Sequence, residues 1–95
     1  MSEKELSWQE VRKKMKFTPE EEYEIRLEED IIEATIAARK KAQLTQRELS
    51  AKCGIKQPNI AKIESRKRSP QVDTLMKILF AMGYTLRVVP LDEKE

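Results

Sequence analysis

The sequence predicts an all-α domain with an N-terminal helical extension and a single C-terminal β-strand. Three observations carry that prediction. Helix start and stop signals recur along 95 residues that include only two glycines and four prolines. Charged residues make up 38% of the chain and hydrophobic ones 39%, a mix that suits solvated helices better than a sandwich or barrel. One β-branched and aromatic run, Tyr84-Thr85-Leu86-Arg87-Val88-Val89, stands apart near the C-terminal end and stops at Pro90. The length fits one domain with a small core.

The elements follow in order. Leu6, Trp8, Val11 and Met15 give a weak helical periodicity. Thr18-Pro19-Glu20-Glu21 is a clear helix start: a capping hydroxyl, proline at the first helical position, and acids in the first turn. Helical character then runs to about Gln43, with Ile25, Ile32 and Ile36 on a shared face. Whether a break near residue 30 divides this helix stays open, since neither Gly nor Pro marks one.

Leu44 to Glu64 reads as two short helices joined by a glycine turn. Thr45 and Glu48 form a capping-box pair. Leu49 and Cys53 share a face, and Gly54 follows them where the chain needs a left-handed residue. Pro58 suits a first helical turn, because its missing amide had no helical partner there. Ile60 and Ile63 repeat the apolar spacing while Lys56, Gln57, Asn59 and Lys62 lie on other faces. This pattern is a helix-turn-helix, and it predicts amide and ammonium groups presented to base edges and phosphates.

Ser65 to Pro70 is a basic polar connection in which Arg66, Lys67 and Arg68 are candidate phosphate contacts. Val72, Leu75, Met76, Leu79 and Met82 mark a last helix stopped by Gly83. The strand at residues 84–89 needs a partner for its backbone groups, and a second copy of the chain is the expected one, with Tyr84, Leu86 and Val88 in the contact. The organisation expected is residues 1–30 as extension, 31–83 as DNA-binding domain and 84–95 as dimerising tail.

Charge is distributed more tellingly than its net of +2 implies. Glu20, Glu21, Glu22, Glu24, Glu28, Glu29, Asp30 and Glu33 crowd residues 18–33 against a single base, Arg26. The following stretch, residues 34–68, is strongly basic and coincides with the two-helix motif, as a phosphate-facing surface would. One cysteine and no histidine exclude an internal disulfide and leave no donor set for a zinc site or a histidine-dependent nucleophile. No cofactor, metal or catalytic residue is expected, and an enzyme is the least favoured class. With no signal peptide and no membrane-length apolar run, a cytoplasmic protein is expected. Cys53 is expected to be a core thiol.

Residues 36–83 resemble the lambda-repressor-like helix-turn-helix family, often called the Xre family. The residues that carry this are Arg39, Leu44-Thr45-Gln46, Leu49, Gly54-Ile55, Gln57, Ile60, Ile63-Glu64, Pro70, Thr74-Leu75, Lys77-Ile78 and Ala81-Met82-Gly83. The resemblance implies a five-helix globule and an internal ion pair between Arg39 and Glu64. It also implies phosphate binding by Gln46, base reading by Gln57, and further contacts from Asn59 and Lys62. Three residues depart from the family's pattern: Pro58 in place of a small polar residue, Gln43 in place of glycine, and Ser50 in place of alanine.

The flanks are similar to HigA-type antitoxins, through Glu10-Val11, the acidic stretch from Phe17 to Tyr23, and the run Ile36 to Gln46. That resemblance implies the antitoxin of a type II toxin–antitoxin pair. Such a protein is a homodimeric autorepressor that binds a double-stranded operator with two half-sites and neutralises a RelE/HigB-like ribonuclease toxin. Trp8, Phe17 and Tyr23 are candidate toxin anchors beside the acidic block. The alternative is a free-standing Xre-family transcriptional regulator with no toxin partner.

Overall fold

In a computed structural model of the chain, which describes residues 16–91, four helices follow one another: α1 (Pro19–Lys41), α2 (Gln46–Cys53), α3 (Gln57–Glu64) and α4 (Val72–Ala81). Helix α1 starts at the expected cap, Thr18, which goes further and forms a capping box with Glu21. The Glu21 amide donates to Thr18 Oγ1 at 3.1 Å, and the Thr18 amide donates to Glu21 Oε1 at 2.9 Å. The helix then runs unbroken for 23 residues, straight through residue 30. Helix α2 repeats the device, with Glu48 N donating to Thr45 Oγ1 at 3.0 Å and Thr45 N donating to Glu48 Oε1 at 2.8 Å. Each box satisfies two amides that the first turn leaves without a helical acceptor.

The helix ends share a geometry. After α1, Gln43 N donates to Lys40 O and Leu44 N to Arg39 O. After α3, Arg66 N donates to Ile63 O and Lys67 N to Lys62 O; after α4, Gly83 N donates to Phe80 O and Tyr84 N to Leu79 O. These are Schellman closures, and each needs a left-handed residue just past the helix. Gly83 provides it at φ 88°, but Gln43 (φ 59°) and Arg66 (φ 65°) do so with side chains attached. Gly54 ends α2 at φ 79°.

The core gathers Ile32 from α1, Leu49 from α2, Ile60 and Ile63 from α3, and Ile78 from α4. Ile36, Leu44, Cys53, Ile55, Ala81 and Met82 pack around it, so the Cys53 thiol is a packing group. Helix α2 lies against both α3 and α4, while α1 packs on α3. Ser50, where the family favours alanine, is accommodated because its hydroxyl donates to Ile55 O at 2.6 Å. Thr35, buried on α1, likewise donates to Ile31 O at 2.7 Å. Both bonds spare a polar group the cost of burial without a partner.

The expected five-helix domain with a C-terminal β-strand is corrected on both counts. Among the described residues there are four helices and no strand. The expectation of a helix over Leu6–Met15 falls outside the described residues. After Tyr84 closes α4, the chain continues to Pro90 without regular secondary structure and with its side chains exposed. Alternating β-branched residues favour a pleated backbone, but a strand exists only through a ladder, and no other described segment offers one.

Gln43 makes this account of the helix ends testable. A β-carbon in the left-handed region costs about 1 kcal/mol relative to glycine. Gln43→Gly is therefore expected to stabilise the protein by about that much and to raise Tm by roughly 4–8 °C. Thermal unfolding followed by circular dichroism measures it; an unchanged or lowered Tm would count against strain at this helix end.

Candidate nucleic-acid interface

The site is built outward from one largely enclosed carboxylate. Glu64, the last residue of α3, receives Arg39 Nε on Oε2 at 2.8 Å and Arg39 Nη2 on Oε1 at 2.9 Å. The third branch of the guanidinium, Nη1, donates to Leu44 O at 2.8 Å in the turn between α1 and α2. The ion pair implied by the resemblance is thus present and mostly enclosed, its side chains 12% and 9% exposed. Only a planar fork could serve both carboxylate oxygens and a backbone carbonyl at once.

From Glu64 the hydrogen bonds continue towards the surface. Gln46 Nε2 donates to Glu64 Oε1 at 2.9 Å, and Gln57 Nε2 donates to Gln46 Oε1 at 3.3 Å. The carboxylate only accepts, so it dictates which end of the Gln46 amide faces it. Gln46 then turns its oxygen to Gln57, which must answer with its amino group. The first residue of α2 and the first residue of α3 are therefore brought side by side in fixed polarity. Gln57 is exposed and keeps an oxygen acceptor and a second amino hydrogen for a ligand, the pair of groups that matches the major-groove edge of adenine.

The remaining candidate contacts spread around α3. Lys56 is its N-cap residue and makes no side-chain capping bond. Pro58 sits in its first turn, as expected from the sequence. Lys56, Pro58, Asn59, Lys62 and Arg68 line one groove across the helix. Arg66 is in a different situation. Half-buried, it donates from Nη1 to Glu64 O at 2.8 Å and from Nη2 to Glu33 Oε2 at 3.1 Å, stapling the end of α3 to α1. Lys67 is exposed on the same connection. Arg68, in contrast, reaches back to α3, where its Nη1 donates to Asn59 Oδ1 at 2.8 Å. No spacing rule foretells that pairing, because it depends on the path of the 65–69 connection.

The candidate partner residues lie away from this site. Tyr23 on α1 is exposed and Phe17 half-buried, while Trp8 falls outside the described residues. Tyr84, Leu86 and Val88 are exposed on the tail. Among the described residues, no cluster of His, Cys, Asp or Glu is arranged to hold a metal ion. None of the described helices is long and apolar enough to cross a membrane.

Two short helices joined by a glycine turn, with the second one's polar face open, make a helix-turn-helix. The chain belongs to the HTH_3 helix-turn-helix family, whose profile matches residues 36–89. An uncharacterised HTH-type transcriptional regulator of Haemophilus influenzae is 38% identical over 88 residues, covering 93% of this chain and 89% of that protein. Antitoxin HigA1 of Mycobacterium tuberculosis is 34% identical over 59 residues, covering 62% of this chain and 40% of its own length. A chain of the toxin–antitoxin module from Streptococcus pneumoniae superposes with a TM-score of 0.67 at 39% identity, covering 92% of this chain and 96% of that one. The resemblance to HigA-type antitoxins of the Xre family therefore holds in sequence and in structure. The two sequence relatives carry the names of a regulator and an antitoxin, not of enzymes.

The charge state of Glu64 gives the network a pH signature. Burial pushes its carboxyl up, but hydrogen bonds from Arg39 and Gln46 and the nearby charges of Arg39 and Lys40 outweigh that and hold it below the ordinary glutamate value. The unfolded chain, titrating near about 4.3, takes up the proton first as pH falls. The stabilisation is thus complete above that value and is lost as pH drops through the lower folded one. Wild type is expected to exceed Glu64→Gln in Tm at pH 7, with the gap narrowing below about pH 4. A gap that stays constant across this range would show that the carboxylate's charge is not what stabilises the site.

Proposed function

We propose that the chain is the DNA-binding antitoxin of a type II toxin–antitoxin pair, acting in the cytoplasm as a homodimeric autorepressor. The observation that carries the DNA-binding half is the hydrogen-bonded path from Arg39 through Glu64 and Gln46 to Gln57, which orients two amides at the neighbouring starts of α2 and α3. In this reading α3 enters the major groove. Gln57 and Asn59 contact bases, Gln46 and Lys62 hold phosphates, and Lys56 and Lys67 add charge along the backbone. Arg66 contributes by holding the 65–69 connection in place. Two half-sites one helical turn apart require two copies. Tyr84, Leu86 and Val88 are the candidate contacts between them, through their exposed side chains.

The antitoxin half is supported by the match over 92% of the chain to a member of a toxin–antitoxin module. The partner would be a small basic HigB-like ribonuclease, met by the acidic first turns of α1 together with Phe17, Tyr23 and Trp8. A free-standing regulator is the second reading. It is favoured by the H. influenzae relative, which bears a regulator's name and aligns with 93% of this chain.

Gln57→Ala is expected to weaken binding to the cognate operator by about 1–3 kcal/mol and to relax one base position per half-site. Competition against singly mutated operators measures both effects, and sedimentation of the wild-type complex should show two chains per operator. Equal loss on all sequences would remove Gln57 from base reading. For the antitoxin half, removing residues 1–17 cuts the chain before the Thr18 cap and the four described helices. The truncated chain should bind operator as before yet fail to rescue cells from the toxin encoded beside it. Full rescue would move the toxin contact elsewhere, and the lack of any toxic neighbour would favour the free-standing regulator.

A further inference from the structure

The chemistry that Asn59 can present to a base depends on its neighbour on the connection after α3. Asn59 Oδ1 accepts from Arg68 Nη1 at 2.8 Å. The orientation of the amide is not arbitrary, because turning it round would set an amino group against the guanidinium. Arg68 itself is exposed, and it is absent from the ion pairs Arg39–Glu64 and Arg66–Glu33. Arg68 lines the groove across α3 together with Asn59, Lys62 and Pro58.

The two side chains together form a surface of hydrogen-bond donors. Asn59 retains its amino hydrogens, Arg68 retains four of its five N–H groups, and the one acceptor between them is already engaged by a cation. Asparagine normally recognises adenine by accepting from N6 and donating to N7. Here the N6 amino group of adenine, or the N4 amino group of cytosine, would be driven against a positive charge. Guanine offers O6 and N7, two acceptors side by side, which is the edge that an arginine fork meets. We propose that Arg68 and Asn59 act as one unit that reads a guanine in each half-site, with Asn59 positioning the Arg68 guanidinium. This rests on the DNA-binding reading above and changes the expected base at one position from adenine to guanine.

A phosphate oxygen would satisfy the same donors, so the test must separate a base from the backbone. Binding sites are selected from a randomised duplex library with the full chain and with Arg68→Ala, Arg68→Lys and Asn59→Ala; circular dichroism checks that each variant is folded. Wild type is expected to enrich a half-site with an invariant guanine. Arg68→Ala should lose that guanine, drift towards adenine there as Asn59 is released, and bind the original site roughly tenfold more weakly. Arg68→Lys should also lose the guanine preference while keeping the salt dependence of wild type, since the charge remains and only the fork is gone. Asn59→Ala should keep guanine at reduced selectivity. If Arg68→Ala weakens every sequence by one factor, or leaves the selected site unchanged, the pair does not read a base and the proposal fails. If wild type enriches no sequence at all, the DNA-binding reading fails with it.

Discussion

The Arg39 guanidinium is where the first three helices are joined. It belongs to α1, bridges both oxygens of Glu64 at the end of α3, and closes the turn into α2 through Leu44 O. Enclosing two opposite charges costs desolvation that their attraction offsets only when geometry is good and the spare hydrogen-bonding positions are filled. Gln46 fills one of them from α2. An apolar pair of similar volume could replace such an ion pair with little loss of stability. What it could not replace is direction. The carboxylate fixes the polarity of Gln46, and through it that of Gln57, so the charge buried under the site determines which atoms reach the surface.

A second set of polar contacts gives the acidic block part of its meaning. Glu33 pairs with Arg66 and Glu28 accepts from the Ser69 hydroxyl, so the C-terminal acids of the block hold the basic connection that follows α3. Between them lies a cleft of about 180 Å³, lined by Ile25, Glu28, Glu29 and Ile32 on one side and residues 66–69 on the other. The block is therefore divided. Its inner residues organise the DNA-binding half, while the acids of the first turn, Glu20 to Glu22, lie at the other end of a 23-residue helix. The Arg66–Glu33 pair also offers a reason for a side chain at a left-handed position. Arginine accepts backbone strain there that glycine would avoid, and in return it ties the α3 terminus to α1.

Local signals in the sequence proved readable because their physics is local. A threonine three residues before a glutamate, or a glycine after an apolar pair, completes its hydrogen bonds within one turn, and the Thr18 cap, the Thr45–Glu48 capping box and Gly54 stand where they were expected. The core of Leu49, Ile60 and Ile63 followed from spacing alone. Arg39 and Glu64 are 25 residues apart, so no periodicity connects them, and only the family resemblance did. The Arg68–Asn59 pair had neither aid. It depends on how the connection folds back after Arg66 turns the chain, a path set by a left-handed arginine that the sequence does not advertise. The tail failed for the opposite reason. Its residue types favour a pleated backbone, but a strand is a property of two segments, and residue type describes one.

That correction alters what would hold two copies together. Backbone pairing drops out of the proposed dimer, and exposed apolar side chains are what remain. There are more of them than the tail alone provides. Helix α4 buries one apolar face through Leu75, Ile78 and Leu79, so that of the apolar residues that marked this helix in the sequence Val72 and Met76 stay outside the core. It also leaves Val72, Met76 and Phe80, spaced by four, on its outer side, with Phe80 82% exposed. A helix apolar on both sides is unusual for a water-facing surface, because one stripe is enough to hold it to a core. The proposed pair of recognition helices and the excess of exposed apolar surface thus point the same way, and both would place the burden of a two-copy arrangement on side-chain packing, with no strand ladder needed.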